Sequence, residues 1–422
     1  MQPPNPFDPA QNPNFGPKIR FSAERSEIDE CNTSDKLPAF PEEAWRGIFD
    51  DYRNANIRAT EASDAFHFGA LWARSAAALG RRVYFPYGMR LYPNVYNVCF
   101  GPTGDRKTTA TRGATQLGGK LQIIFGGGSG EGLADEFAHC APGDGVLIHA
   151  EELSKILKPG RWEGSTLIPF LTECFDCPDN YQMKFRKSPI DLDQPTPNLL
   201  AGVTPEWFWR DFRLDDFNGG FGNRMFFLTG RRKPCLPRPE SPNLSAISHA
   251  LVALADVEPC QARLEARADA LWDKFYRAWD DAESRQDPLL QLGVKRIPSY
   301  ILKLAMLYAA TEHTLPEIQA DQLSAAILVG QYGAECVKEL LSLRHMGMSP
   351  RKELERRILA YVKTQDEQIA TRREIYRALA RHYKDAEEFN RALDSLRLAG
   401  ELFLENGVGS RRTVWVSADP HD

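Results

Sequence analysis

Eight consecutive residues, Gly101-Pro102-Thr103-Gly104-Asp105-Arg106-Lys107-Thr108, have the composition of a loop that wraps an oxyanion. They fit the pattern G-x-x-x-x-G-K-[ST] at every position but one. Glycines let successive backbone N–H groups turn inward around phosphate oxygens. Residues 93–100 ahead of the loop read as a short apolar strand, and residues 108–117 behind it read as a helix. A helix in that position aims its positive end at the same oxyanion. In such a loop Lys107 meets the β and γ phosphates of a nucleotide, and Thr108 offers its hydroxyl to Mg²⁺. The expected nucleotide contacts are Gly101, Pro102, Thr103, Gly104, Asp105, Arg106, Lys107, Thr108 and Thr109, with ATP and Mg²⁺ as the cofactors. The departure is Arg106, which stands where the pattern has glycine and either alters the loop or adds charge beside the phosphates.

Hydrolysis of a nucleotide needs carboxylates as well. About forty residues on, Gly145-Val146-Leu147-Ile148-His149-Ala150-Glu151-Glu152 reads as an apolar strand ending in two acids. One acid holds the Mg²⁺ shell and the other orients the attacking water. The expected roles are Glu151 on the metal side and Glu152 on the water, although acid pairs at helix starts also serve as macrodipole stabilisers. Asn198, on the apolar run 198–203, is a candidate to position that water; it also suits a turn after Pro197. Arg224, after Gly219-Gly220-Phe221-Gly222-Asn223, stands at the head of another short run, and a guanidinium there can reach the γ-phosphate of a neighbouring subunit.

The elements that must position these groups follow from patterning. Short apolar runs at 121–125, 145–150, 198–203 and 225–229 alternate with helical segments, which argues an α/β layer with a mostly parallel sheet. Trp45, Ile48, Phe49 and Tyr52 have helical spacing, and residues 65–79 form a second, Ala/Leu-rich helical run. Residues 262–345 read as helices only, after a proline-rich seam at 233–242. The last part predicts helices at 353–363, 371–381 and 386–399, then a hairpin through Asn406-Gly407, which is a winged-helix pattern. The expected divisions are an arm at 1–36, disordered or loosely docked, a helical segment at 37–92, the core at 93–232, a helical lid at 233–348 and a winged helix at 349–422.

In this order the motifs resemble AAA+ ATPases of the minichromosome-maintenance helicase type. More closely, they are similar to helicase-like P-loop proteins carried on bacterial phages, plasmids and genomic islands. The segments 101–109, 145–153 and 222–226 carry the resemblance, which spans roughly residues 37–345. It implies an α/β P-loop NTPase core, ATP held between subunits of a homo-oligomeric ring (a hexamer by family analogy) and single-stranded DNA as partner. Residues 295–305 look like the lid helix that bears a second sensor arginine, which makes Arg296 the matching position. The resemblance also directs attention to 181–190, where such helicases carry a β-hairpin aimed into a central pore. There Lys184, Arg186 and Lys187 suit a phosphate backbone and Phe185 suits a base. The implied function is an ATP-dependent DNA helicase or translocase in replication of a mobile element. The other reading is an ATP-gated DNA-binding initiator, loader or defence component with little unwinding.

Composition narrows the classes. With 52 Lys+Arg against 57 Asp+Glu the chain carries a net charge of -5, which excludes a wholly basic nucleic-acid coat but not a local patch. Between residues 349 and 422 the two signs nearly balance, and the third helix there is acid-rich. Arg411 and Arg412 are its better phosphate contacts, and DNA and protein both stay open as its partner. No run approaches the roughly 20 apolar residues of a membrane span, and the first residues lack a secretory pattern, so the expected location is cytoplasmic. The eight cysteines show no regular spacing, and Cys174-Phe175-Asp176-Cys177 lacks the second pair that zinc normally takes. Replacing Lys184, Arg186 and Lys187 by alanine should weaken single-stranded DNA binding and lower its salt slope by about 0.7 for each phosphate no longer neutralised. Titrations at several salt concentrations check this. An unchanged slope in that variant, beside lost binding on deletion of residues 349–422, assigns the contact to Arg411 and Arg412 instead.

Overall fold

The computed structural model describes residues 37–119, 121–184, 189–344, 350–365, 369–406 and 412–416. The expected N-terminal arm, residues 1–36, lies outside them. The chain divides into two compact units, one ending at Leu343 and one starting at Arg344. The first unit is built on five strands, numbered here β1 (Tyr96–Phe100), β2 (Gln122–Phe125), β3 (Gly145–Ala150), β4 (Thr196–Val203) and β5 (Phe226–Leu228). They lie in the order β2-β3-β4-β1-β5, and every pairing is parallel.

Burial explains the composition of the strands. All residues of β1, β3, β4 and β5 are buried, as parallel strands covered on both faces must be, so they read as near-continuous apolar runs. Helix α1 (Asp64–Leu79) packs on the sheet and on α2 (Lys107–Thr115). Its Ala-rich sequence is favourable to helix, and the left-handed Gly80 ends it. The close approach shows at Gly145, where an added Cβ would lie 2.2 Å from the Ala77 carbonyl oxygen.

The segments ahead of and behind the sheet share its core rather than forming separate bodies. Phe49 stacks near Phe68 of α1, and helix Ile297–Thr311 brings Tyr300 against Trp72 and Phe226. Two departures from the helical reading appear. Val83–Tyr87 pairs with Met89–Leu91 as a hairpin, and Arg263–Leu264 forms a two-residue parallel ladder with Glu317–Ile318. Both are too short to leave a periodic signature.

The second unit holds helices Pro350–Lys363, Arg372–Ala378 and Ala386–Leu398, and strands in the order Ile369–Thr371, Arg412–Val416, Leu402–Asn406, all antiparallel. Its core gathers Leu354, Ile358, Val362, Ile375, Phe389 and Leu396. Thr371 and Glu374 form the expected capping box. The third strand is an addition to the sequence expectation. Among the described residues no helix is long and apolar enough to cross a membrane.

Gly145→Ala should destabilise the first unit by about 3 kcal/mol, because backbone stands where the new methyl would go and the strand must shift. The midpoint of urea unfolding measures it. Stability within a few tenths of a kcal/mol of the parent would mean that α1 and β3 are less closely apposed.

Candidate phosphate-binding site

The strand direction places the glycine loop at one edge of the sheet. β1 ends at Phe100, the chain arches through exposed Pro102, Thr103 and Gly104, and α2 starts at Lys107. Gly104 has φ +99, and nothing lies within 4 Å of where its Cβ would be. Arg106 has φ 60 and ψ 22, the left-handed region. The backbone therefore keeps the conformation that glycine favours, and Arg106 adopts it at a cost of about 1 kcal/mol.

That strained residue is tied down from outside. Glu61, only 8% exposed, accepts from Arg106 Nε at 3.2 Å, from the backbone N–H of Leu236 at 2.7 Å and from Arg232. The Leu236 bond above all, with Arg232 and Arg106, holds the Glu61 carboxyl down to about 2. One carboxylate thus fastens the loop to the chain that leaves β5.

Lys107 is buried, and its Nζ donates to the carbonyls of Gly101 at 2.7 Å and Pro102 at 2.8 Å, closing the mouth of the loop. Burial lowers its pKa, opposed by Asp105 and Glu152, and more weakly by Glu206. Glu152 itself is pushed up by burial, against the pull of Lys107. Thr108 is half-buried in the first turn of α2.

The two acids face different neighbours. Glu151 Oε1 accepts from Arg112 Nε at 2.5 Å, and that bond lowers its pKa. It lines a cavity of about 420 Å³ with Gly126, Gly127, Gly128, His149 and Lys155. Glu152 is the acid within electrostatic reach of Lys107. The sequence missed two groups at this edge, Thr204 and Glu206, and left the action of Asp105 on Lys107 unread. Thr204, directly after β4, is buried and accepts from the Trp207 N–H at 3.4 Å; Glu206 and Asp105 act on Lys107. Thr204-Pro205 is a helix-start signature, so a signal was present.

Asn198 does not belong to this edge. The strand begins at Thr196, so Asn198 lies five residues before Val203, roughly 16 Å away along the sheet. It is fully buried, and its Oδ1 accepts from the Val95 N–H at 3.0 Å. It fixes the entry of β1 and cannot touch a water at the loop. The water-positioning expectation is corrected on that ground.

Arg224 and Arg296 also lie at the far edge. Phe226 pairs with Asn97 near the start of β1, so Arg224 stands at the opposite end of the sheet from Lys107. Arg224 and Arg296, the latter at the N-cap of helix Ile297–Thr311, both bond to Asp176. Burial alone would raise Asp176, but the two arginines outweigh it and hold its carboxyl low. Neither arginine is within reach of the loop of its own chain. Nearby Lys303 is buried and brought down to about 7.

The hairpin expected ahead of β4 exists: Asn180–Met183 pairs antiparallel with Ile190–Asp193. Lys184 is exposed at its end, whereas Phe185, Arg186 and Lys187 lie outside the described residues. Arg412 starts the last strand, and Arg411 lies outside the described residues. Cys174 and Cys177 are buried free thiols at a helix end. The chain matches no family model and no curated protein.

The low Glu61 pKa gives a signed pH dependence. The stability Glu61 contributes is complete above its ordinary value, 4.5, and is lost as pH falls towards about 2, because only the folded chain keeps it ionised in that window. Urea unfolding of the parent and of Glu61→Gln should therefore differ most above pH 5 and converge as pH approaches 2. A gap independent of pH would mean that Glu61 is not held ionised.

Proposed function

We propose that the first unit is an AAA+-like P-loop ATPase whose second unit is a winged helix, and that the protein is a DNA helicase or translocase working as a ring. The observation that carries this reading is the meeting of Lys107, the strained loop and Glu152 at one edge of a parallel sheet. Ligands of open α/β sheets sit in crevices at that edge.

The residues present fit a magnesium–nucleoside triphosphate. An arch with an open left-handed glycine precedes a helix N-terminus, a lysine closes it, and a hydroxyl and a carboxylate flank the lysine. Lys107 would leave the carbonyls of Gly101 and Pro102 for the β and γ phosphates. Thr108 would hold Mg²⁺, which neutralises charge developing on the transferred phosphoryl group. Glu152, desolvated and therefore more basic than an exposed carboxylate, would polarise the attacking water. Glu151 serves the metal only if it leaves Arg112, so the division of labour between the two acids favours Glu152 as the indispensable one. Arg224 and Arg296 would act on the nucleotide of a neighbouring subunit.

A second reading, a nucleotide-gated binding protein with slow turnover, draws on one observation: both arginines are already engaged by Asp176. Strand displacement with and without ATP separates the two.

Lys107→Ala should abolish ATP hydrolysis, and Glu152→Gln should keep nucleotide binding while lowering turnover at least a hundredfold. Arg224→Ala alone should be inactive. Mixing it with Lys107→Ala should restore part of the activity, since one subunit then supplies the loop and the other the arginine. Full activity per subunit in a strictly monomeric sample would overturn the shared site, and normal turnover in Glu152→Gln with loss in Glu151→Gln would reverse the two acids.

A further inference from the structure

The carboxylate of Asp176 is divided between two arginines far apart in sequence. Oδ2 accepts from Arg224 at 2.6 Å and Oδ1 from Arg296 at 2.9 Å. Arg224 is steadied by a second bond to the Gly220 carbonyl at 2.8 Å. Both guanidinium groups lie over the Phe175 ring, 5.9 Å and 5.6 Å from its centroid, and Lys303 Nζ lies 4.4 Å from the same ring. Lys303 is held in place by the carbonyl and Oδ1 of Asn94, at 2.7 Å and 2.6 Å. Two guanidinium groups and the Lys303 amine thus gather around one aromatic ring, and the two guanidinium groups share one carboxylate. A cavity of about 460 Å³ opens beside them, lined by Asp176, Arg296 and Lys303 together with Arg90 and Lys295 and with the acids Asp280 and Glu283.

A carboxylate and a phosphoryl group offer arginine the same thing, two oxygens at similar spacing in one plane of approach. A phosphoryl group brings more negative charge, so it is the stronger ligand for a cluster with surplus cations. We propose that Arg224 and Arg296 form a single phosphoryl-binding site, and that Asp176 is its internal occupant in the isolated subunit, released when the terminal phosphate of a nucleotide on a second copy of the chain is presented. The proposal rests on the intersubunit reading above and adds its regulation. A nucleotide on the same chain is excluded as the source, because the loop and the arginines lie at opposite ends of β1. The other source of the same chemistry is a free phosphoanion entering the cavity. Asp176 is a positioning residue: it touches no substrate and acts through the arginines.

The test is Asp176→Asn in the full chain, with ATPase measured per subunit over a range of protein concentrations. The expected result is a concentration for half-maximal activity at least threefold below that of the parent, since assembly no longer has to displace a charge. Asp176→Glu, which keeps the charge, should behave like the parent. Adding Arg224→Ala, which removes turnover by itself, should leave Asp176→Asn inactive at every concentration; activity in that double variant overturns the proposal. A folded Asp176→Asn protein, judged by its thermal transition, whose half-maximal concentration is unchanged or raised overturns the proposal. Pyrophosphate binding to Lys107→Ala, with and without Asp176→Asn, tests the other source. Tight binding gained only with Asp176→Asn, at concentrations where the chain is monomeric and with no shift in assembly, assigns the site to a free phosphoanion and overturns the role of the second copy. Failure of the ATPase reading shows separately, as nucleotide binding that Lys107→Ala leaves intact.

Discussion

All five strands of the main sheet run the same way, and nearly everything else follows from that. Parallel strands leave the sheet with two unlike edges. Every strand delivers its last residue to one edge and its first to the other. The loop, Lys107, Glu152 and Thr204 come from strand ends and therefore meet. Asn198, Arg224 and the Val95 N–H come from strand beginnings and therefore lie at the other edge. The distance between the two sets is one strand length, which no side-chain rotation can bridge. A crossover of helix between parallel strands makes the segregation possible, since each helix carries the chain back to the starting edge.

How much of this was legible depended on whether a residue's role is set by its neighbours in sequence or across the sheet. The glycine loop is local: strand, glycines, lysine and helix lie within about twenty residues, and the structure has them where the pattern put them. The capping box at Thr371 is local too. Asn198 was misplaced although it stands first in its apolar run: in a parallel sheet the first residues of a strand lie at the end opposite the loop that follows β1, which only the strand directions show. The two acids are adjacent in sequence, yet their side chains answer to different partners, Arg112 and Lys107, which only the tertiary packing decides. Asp176 escaped notice for a similar reason. Its near neighbours in sequence are two cysteines, whereas its partners lie 48 and 120 residues away.

Arg106 shows how a local rule can be broken and the shape kept. Glycine is favoured at a left-handed position because it has no Cβ, not because the position demands a small side chain. The Arg106 side chain points to Glu61. The cost sits in the backbone of one residue, and the bond to a buried carboxylate offsets part of it.

The three bonds of Glu61 have a mechanical consequence. Arg106 belongs to the arch, while Arg232 and Leu236 belong to the stretch that leads from the sheet to helix Ser245–Ala255. A carboxylate is rigid and short, so these three points form a small truss. If the arch tightens on a ligand, the truss must either travel with it, dragging the outgoing chain, or give up its weakest strut, the 3.2 Å contact to Arg106. While that strut holds, the arch is geared to a segment more than 120 residues downstream, and the gear tooth is one side chain from the loop that precedes α1; once it parts, arch and segment move independently.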